Sequence, residues 1–451
     1  MNRRKFIGTL GLAAAAGTIP TLGQSANKNS KLRILQIGVS GIGVMDRNAL
    51  IKHPKVEIAG LCDINQQNLD AVAKELPKAA KYNDSRDALG KDIDKYDAVL
   101  VCTPDHAHAV MALHALANDK HLYLQKPCVQ QLDEVRMLKK ALAAKPDLVT
   151  QMGNQRSAIK GRNQALAILR SGTLGKTKSA WAWTGKVAKN TYFNGAWLKE
   201  YEKGGEVPAH IKWDLWKHCS TADVPYSDVL VTRKWRTYWE FGGGQLTDWC
   251  CHLLDVIYHA LDLDVPIAVQ TNTPQPATAV GHSAYNQSRI TFKSTAHTVG
   301  DGLGRFIVHY NDHDIHPPAS ETGLPLGTRF GTNKTIFVCE KGTIVLGANG
   351  DLNIFQNGKL VKDFPLPEVA PRSHWNEWVD NCFGAKNKLL GDVNLGIRVT
   401  EAGLLATKAT RYPNRELVWD STANRFKDDP PNKHLLKREY RKGFEPPAEF
   451  A

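Results

Sequence analysis

Three polar side chains in this sequence have the types and spacing for acid–base chemistry on an alcohol: Lys126, Asp248 and His252. Lys126 follows an apolar run and precedes Pro127 in HLYLQKP. A buried strand is expected to end there, because proline cannot donate to a sheet. Asp248 and His252 lie four residues apart in GGGQLTDWCCHLLD, which puts both on one face of a helix. Alone, this pair would suit a helix-terminal acid and a core histidine.

The chemistry that fits this set is the oxidation of a secondary alcohol. It needs a base for the hydroxyl proton and a nicotinamide cofactor that accepts hydride. Imidazole titrates near neutrality, so His252 is the candidate base. The ammonium of Lys126 would stabilise a developing alkoxide, and Asp248 would orient the site or bind the substrate. This interpretation requires a nucleotide-binding domain in the same chain.

The first half of the chain has the pattern of such a domain. LRILQIGVSGIGVMDRNALIKHP predicts a strand, a glycine turn and a helix, and VEIAGLCDI predicts a second strand. This β-α-β unit is typical of dinucleotide-binding folds. Gly38 permits the tight turn and Gly43 lets the helix pack on the strand, while Ser40 replaces the middle glycine of G-x-G-x-x-G and Gly41 adds freedom.

Asp63 ends the second predicted strand, 20 residues after Gly43. A carboxylate there accepts hydrogen bonds from the adenosine ribose and repels a 2′-phosphate. The sequence therefore predicts NAD in preference to NADP.

Two further strands are predicted at 98–102 and 122–125, with a helix between them. Ligands of an open parallel sheet bind at the carboxyl ends of its strands. The cofactor contacts predicted at this edge are Thr103, Pro104, His108, Gln125 and Lys126.

The second half changes pattern after Met152. Many β-like runs are separated by glycine and asparagine turns, which predicts a largely antiparallel sheet. Its tryptophans suit either a core or a sheet face that binds sugar rings, and 374–409 has helical periodicity. We predict an export signal at 1–29, a doubly wound parallel-sheet domain at 30–150, an α/β substrate and oligomerisation domain at 151–430 and a basic tail at 431–451.

The N-terminus resembles a twin-arginine export signal. Arg3 and Arg4 precede an apolar run that ends in small residues, and no cysteine occurs before Cys62, so a signal peptide is favoured over a lipoprotein anchor. An uncleaved apolar anchor is the alternative. Export by this route predicts a periplasmic protein that is not inserted in the membrane after signal removal. Because the route carries folded proteins, it also predicts a tightly bound NAD.

Composition excludes several other classes. The net charge of +13 is spread along the 451 residues without a nucleic-acid-binding motif, so no nucleic-acid partner is predicted. The eight cysteines include no C-x-x-C pair, which argues against a disulfide framework or structural zinc. Adjacent thiolates in CCH (250–252) cannot both face one ion, and 309–318 suits a surface loop, so no metal is predicted.

The motifs IGVSGIG, CTPDHAHAV, KHLYLQKP and GGGQLTDWCCHLLD resemble the Gfo/Idh/MocA oxidoreductases. The resemblance implies an N-terminal Rossmann domain and a C-terminal α/β domain on a largely antiparallel open sheet. It also places the family's lysine, aspartate and histidine at Lys126, Asp248 and His252, and implies dimers or tetramers formed through the open sheet. TQMGNQ and WDLWKHC resemble an exported bacterial branch. Most members have Glu-Lys-Pro where this chain has Gln125-Lys126-Pro127.

Two kinds of enzyme fit these motifs and the predicted export. One oxidises a sugar, glycoside or polyol and then reduces a second carbonyl compound while NAD stays bound. The other is a redox-neutral NAD-dependent glycosidase, as some members of the resembled family are, which oxidises, eliminates the aglycone and re-reduces. A non-catalytic nucleotide- or sugar-binding protein is disfavoured because both Lys126 and His252 are present.

Overall fold

The computed structural model describes residues 31–185, 195–232, 234–427 and 429–451. The predicted export signal at 1–29 lies outside these residues. Among the helices of the described part, none combines the length and apolarity that a membrane crossing requires.

The first domain is a six-stranded parallel sheet with helices on both faces. Its strands are β1 (Leu32–Ile37), β2 (Val56–Cys62), β3 (Ala80–Tyr82), β4 (Ala98–Val101), β5 (His121–Leu124) and β6 (Thr150–Met152). Its helices are α1 (Ile42–Leu50), α2 (Gln66–Glu75), α3 (Ser85–Leu89), α4 (Asp105–Ala117) and α5 (Leu132–Ala144). The strand order β3-β2-β1-β4-β5-β6 reverses direction between β1 and β4, which creates the crevice where such sheets bind ligands. The predicted doubly wound parallel sheet is confirmed, and β6 lies across the boundary predicted at residue 150.

The second domain is built on a ten-stranded sheet. Its strands are β7 (Thr177–Trp183), β8 (Ala268–Asn272), β9 (Gln287–Lys293), β10 (Arg305–Asn311), β11 (Lys334–Cys339), β12 (Gly342–Gly347), β13 (Leu352–Gln356), β14 (Lys359–Leu360), β15 (Leu417–Asp420) and β16 (Arg425–Phe426). Its helices are α6 (Lys160–Ser171), α7 (Gly195–Lys203), α8 (Trp213–Lys217), α9 (Asp228–Val231), α10 (Gly244–Leu253), α11 (Asp255–Leu261), α12 (His374–Cys382), α13 (Val393–Ala409) and α14 (Asp429–Leu435). The strand order is β14-β13-β12-β11-β7-β10-β9-β8-β15-β16. Among the described strands of this sheet, only β7 and β10 pair in parallel, and all other neighbouring strands are antiparallel. The predicted largely antiparallel sheet is therefore confirmed.

One apolar core joins the two domains. It contains Leu124 of β5, Leu246 of α10, Phe306 of β10 and Leu404 of α13, all 0–1% exposed. Helices α10 and α13 approach closely, because a Cβ on Gly403 would lie 2.5 Å from the Cys250 sulfur. Close packing of this kind fixes α10 relative to the end of β5, and these two elements carry the candidate catalytic residues.

The helical periodicity at 374–409 belongs to two helices. Gly384 has a φ of +91° just after α12, a backbone conformation that ends a helix and that glycine adopts without strain. Asp392 then caps α13 by accepting a hydrogen bond from Asn394 N at 2.6 Å. Helix α12 packs on the first domain, where Trp378 is fully buried in the cluster that contains Leu32.

Candidate functional site

A cleft of about 1050 Å³ opens at the carboxyl edge of the first sheet and is closed on its other side by α10. This volume is at the upper end of the range for small-molecule sites. Most of the predicted site residues line the cleft: Gly38, Ser40, Gly41, Asp63, Thr103, Pro104, Gln125, Lys126, Asp248 and His252. Gly43 and His108 are buried and are absent from its lining.

The glycine turn after β1 fits a backbone that must approach a phosphate closely. Gly38 has a φ of +86°, and a Cβ there would lie 2.5 Å from the Cys102 carbonyl oxygen. A Cβ on Gly43 would lie 2.3 Å from the Gly38 carbonyl oxygen, so that glycine permits close packing of the helix on the turn. Both positions exclude larger side chains, as a dinucleotide-binding turn requires.

Asp63 has the environment of a ribose ligand. Its Oδ2 accepts a hydrogen bond from Val39 N and its Oδ1 from Asn65 N, each at 2.9 Å. Burial raises the pKa of Asp63, and these two donors oppose the effect. Each carboxylate oxygen keeps a second lone pair for a sugar hydroxyl, so the residues present fit the adenosine half of NAD.

Lys126 and Asp248 meet across the two domains. The lysine Nζ lies 2.5 Å from Asp248 Oδ1 and 3.1 Å from the Asp248 carbonyl oxygen. Arg236 donates from Nε to the same Oδ1 at 3.0 Å. The carboxylate therefore holds two cations at one end of the cleft, and Lys126 lies two residues beyond the end of β5.

His252 is oriented by a chain of hydrogen bonds. Its Nδ1 lies 2.9 Å from Asn154 Oδ1, while Asn154 Nδ2 donates to Asp255 Oδ2 at 2.8 Å. Arg162 also donates to Asp255 Oδ2, at 2.5 Å. Because the carboxylate can only accept, the asparagine amide must turn its oxygen towards the histidine. The proton of the neutral imidazole then sits on Nδ1, and Nε2 is the acceptor.

The electrostatic surroundings keep His252 neutral. Burial lowers its pKa well below the usual value, and the charges of Lys126 and Arg156 lower it further. A neutral imidazole whose Nε2 carries no proton can accept one from a substrate hydroxyl. The arrangement thus places a proton acceptor and a cation in one cleft.

His108 lies behind the cleft wall. Its ring nitrogens are 2.7 Å from the Pro127 carbonyl oxygen and 2.8 Å from the Thr103 carbonyl oxygen, and burial lowers its pKa to about 4. A neutral imidazole has one N–H, so His108 donates to one of these two carbonyl oxygens and lies in contact with the other, between the two loops that carry other predicted cofactor contacts.

Several residues of the site were not predicted from the sequence. Asn154 follows β6 at the same edge of the sheet, a position that the strand-end rule could have found. Asp46 gave no such signal, because it lies inside α1 and is fully buried. Arg236 comes from a short turn whose place over the cleft depends on tertiary contacts.

A segment of the second domain crosses the end of the cleft that contains Asp63; we call residues 208–218 the strap. Gln66 N donates to the His210 carbonyl oxygen at 2.8 Å, and Lys212 N donates to the Ile64 carbonyl oxygen at 2.9 Å. The strap residues that line the cleft are Ile211, Leu215, Trp216 and His218. The strap is therefore hydrogen-bonded to the loop that follows Asp63, the predicted ribose ligand.

The C-terminal tail packs on the strap. Arg441 donates to Asp214 Oδ1 at 2.6 Å, and Phe444 lines the cleft. Across the described ranges, no group of three or more histidine, cysteine, aspartate or glutamate side chains is arranged to hold a metal ion.

Comparison with known proteins identifies the family. A protein-family model described as "Oxidoreductase family, NAD-binding Rossmann fold" matches residues 32–153. A second family model, described as "Oxidoreductase family, C-terminal alpha/beta domain", matches residues 164–310. Similar solved structures include the WlbA dehydrogenase of Bordetella pertussis in complex with NADH and UDP-GlcNAcA (TM-score 0.59, 14% identity, 86% of this chain and 99% of that one). Another is the aldose-aldose oxidoreductase of Caulobacter crescentus complexed with glycerol, with a TM-score of 0.57 and 14% identity. That alignment covers 86% of this chain and 100% of the other. At this identity the likeness shows the fold.

Curated relatives match shorter stretches. A glycosyl hydrolase family 109 protein of Shewanella pealeana is 30% identical over 162 residues, 30% of this chain and 35% of the relative. Glucose-6-phosphate 3-dehydrogenase of Bacillus subtilis is 33% identical over 103 residues, 23% of this chain and 28% of the relative. The chain thus matches about a third or less of the length of these two relatives. The two family models, together with the cleft geometry, show that the chain belongs to the Gfo/Idh/MocA family of oxidoreductases and begins with an NAD-binding Rossmann domain.

Proposed function

We propose that the protein is an NAD-dependent oxidoreductase that oxidises a secondary alcohol of a sugar, glycoside or polyol. The observation that carries this proposal is the meeting of Lys126 and His252 in one cleft, beside the glycine turn and Asp63. The carboxylate of Asp63 favours NAD over NADP. Relatives named as a glucose-6-phosphate and an inositol dehydrogenase support a carbohydrate substrate.

The roles follow from the geometry. Bound NAD supplies the hydride acceptor. His252 Nε2 removes the hydroxyl proton, because Asn154 holds the other ring nitrogen in its protonated form. Lys126 stabilises the negative charge that develops on the substrate oxygen. Asp248 keeps the ammonium in place through its 2.5 Å contact.

The cofactor remains bound through the catalytic cycle. The strap and the C-terminal tail both line the cleft, and the strap is hydrogen-bonded to the loop after β2, so we expect opening of these bonds to accompany nucleotide release. Retention suits a protein that twin-arginine machinery exports, folded, to the periplasm, where free NAD is not replenished. The RR-K-F-I pattern of the N-terminus supports that route.

The protein assembles as a dimer or tetramer through the open face of the ten-stranded sheet. Trp181 and His309 support this proposal. Their rings stack, with centroids 3.6 Å apart, on the adjacent strands β7 and β10 of that sheet, and aromatic side chains are common at protein interfaces.

A second candidate is a redox-neutral glycosidase. The same residues would oxidise a glycoside and, after aglycone elimination and hydration, return the hydride. The glycosyl hydrolase family 109 relatives favour it, and a retained cofactor suits it because NAD is regenerated within one cycle.

One experiment separates the candidates. The purified protein is denatured to identify its nucleotide, and the native protein is mixed with sugars and aryl glycosides while nicotinamide absorbance is followed. Lasting reduction supports the oxidoreductase, and aglycone release without net reduction supports the glycosidase. A protein that contains no NAD and has no affinity for it refutes both.

A further inference from the structure

A buried carboxylate behind the cleft organises two of its glutamines. Asp46 is fully buried, and its Oδ2 accepts a hydrogen bond from Gln125 Nε2 at 2.5 Å. Its Oδ1 accepts three more, from Gln155 Nε2 at 2.9 Å, Trp375 Nε1 at 2.9 Å and Tyr123 OH at 3.1 Å. Because an indole N–H can only donate, Oδ1 is an acceptor. The two oxygens of Asp46 thus have separate partners.

The ionised carboxylate of Asp46 can only accept at Oδ2 as well, so the amide of Gln125 turns its nitrogen towards it. Its nitrogen faces Asp46, so its oxygen is the atom on the other side, 3.3 Å from the backbone nitrogen of Lys126. Gln125 and Lys126 both line the cleft. The amide therefore presents an acceptor beside the catalytic lysine, where a ribose hydroxyl of the cofactor can donate to it.

The same contact explains why this chain has Gln-Lys-Pro. A glutamate at position 125 would bring a second carboxylate to the 2.5 Å distance now spanned by the Gln125–Asp46 hydrogen bond. Two carboxylates so close cannot both ionise, so one would hold a proton. An amide at position 125 avoids this conflict. The negative charge is then on Asp46, one side chain further from the cleft than a glutamate at position 125 would place it.

We propose that Asp46 is a positioning residue for the cofactor: it orients Gln125 so that an acceptor faces the nicotinamide end of bound NAD. The proposal rests on the NAD-dependent function proposed above. It requires positions 46 and 125 to form one matched pair, a carboxylate and an amide, whose members can exchange places.

Three variants test the pair: Asp46→Asn, Gln125→Glu and the double exchange. Asp46→Asn can keep Oδ1 towards its three donors, but its new NH₂ then faces the NH₂ of Gln125. The glutamine relieves this by turning over, which presents a donor to the cofactor. Gln125→Glu creates the carboxylate pair. In the double exchange, the asparagine NH₂ donates to the new glutamate, and an acceptor again faces the cleft.

The measurements are NAD affinity by titration of nucleotide-stripped protein, the melting temperature, and kcat and KM with a turned-over sugar. We expect each single variant to bind NAD about tenfold more weakly, and the double exchange to return to within about threefold of wild type. NAD affinity of Gln125→Glu should also fall as pH rises, because the shared proton is lost.

Trp375→Phe is the matched control. It removes one Oδ1 donor from the same carboxylate but leaves the Gln125 contact, so it should lower the melting temperature without changing NAD affinity. Unchanged NAD affinity in Asp46→Asn, or a double exchange no better than the single variants, would overturn the inference while the proposed function stands. A wild-type protein without NAD affinity would overturn both.

Discussion

The carboxylate of Asp248 binds two cations, and this leads to a testable prediction: the effect of Lys126→Met on protein stability should reverse its sign when Asp248 is replaced. Lys126 and Arg236 both bind its Oδ1, at 2.5 and 3.0 Å. Lys126→Met in the wild-type protein leaves Asp248 with Arg236. In an Asp248→Asn background, Lys126 and Arg236 both face a neutral amide in place of the carboxylate. Lys126→Met then removes one of these two cations. We therefore expect Lys126→Met to destabilise the first protein and to stabilise the second.

The structure sets the magnitudes. The side chains of Lys126, Asp248 and Arg236 are 13%, 9% and 20% exposed, so the group is largely desolvated. Removing one partner of a buried ion pair costs ~3–5 kcal/mol, and we expect Asp248→Asn to lower the free energy of unfolding by that amount. Lys126→Met alone should cost ~1.5–3 kcal/mol, the range for a hydrogen bond to a charged group. In the asparagine background it should restore ~1–2 kcal/mol, because a methionine carries no charge that must stay buried.

Urea denaturation of the four nucleotide-free proteins measures this cycle. A pair on an exposed surface provides the control: Lys91→Met removes the partner of Asp87, where the side chains are 84% and 56% exposed, and should change the free energy of unfolding by less than ~0.5 kcal/mol. Equal destabilisation by Lys126→Met in both backgrounds would show that Asp248 does not hold the lysine charge, and would refute its assigned role.

Further predictions concern protonation and cofactor retention. The lowered pKa of His252 should place the acid limb of the kcat/KM profile below pH 6.5, the usual histidine value; a limb above it would argue against this base. Asn154→Leu should lower kcat at least tenfold, because the reactive imidazole tautomer is no longer enforced, and should leave NAD affinity unchanged. Gln66→Pro removes an N–H bonded to the strap at the first position of a helix, which tolerates proline, and should release NAD faster than Gln66→Ala in stopped-flow exchange. Burial lowers the pKa of Lys408 from 10.5 to about 7. Between these two pH values the unfolded chain binds more protons than the folded protein, so the free energy of unfolding should rise with pH. Lys408→Met should abolish this rise in thermal melts.

Local pattern, together with the nucleotide-binding pattern in the first half of the chain, was sufficient to predict the catalytic candidates. Lys126 follows an apolar run that ends in proline, and Asp248 and His252 share one helix face, so strand-end and helix-spacing rules applied. The fold class followed from the change between β-α-β units and successive strands. These features depend on residues that are close together in the chain, so a single sequence is enough to predict them.

The remaining features depend on contacts between distant segments. Asp46 has partners from β5, from the loop after β6 and from α12, and the helix that contains it shows none of them. The strap is tied to the loop after β2 by backbone atoms, which carry no side-chain signal. His108 was predicted at the nucleotide edge because it lies just beyond the end of a strand, yet its position in the first turn of α4 points it behind the wall.

The electrostatics of the site link its two candidate catalytic groups. Burial and two nearby cations lower the pKa of His252, which keeps it unprotonated but also makes it a weaker base. A weak base can take a hydroxyl proton only if the resulting oxyanion is stabilised, and in the proposed mechanism Lys126 would supply that charge. The same ammonium would thus depress the base and favour its reaction. The lysine comes from the first domain and the histidine from the second, so the proposed proton transfer would depend on the shared core that holds β5 against α10.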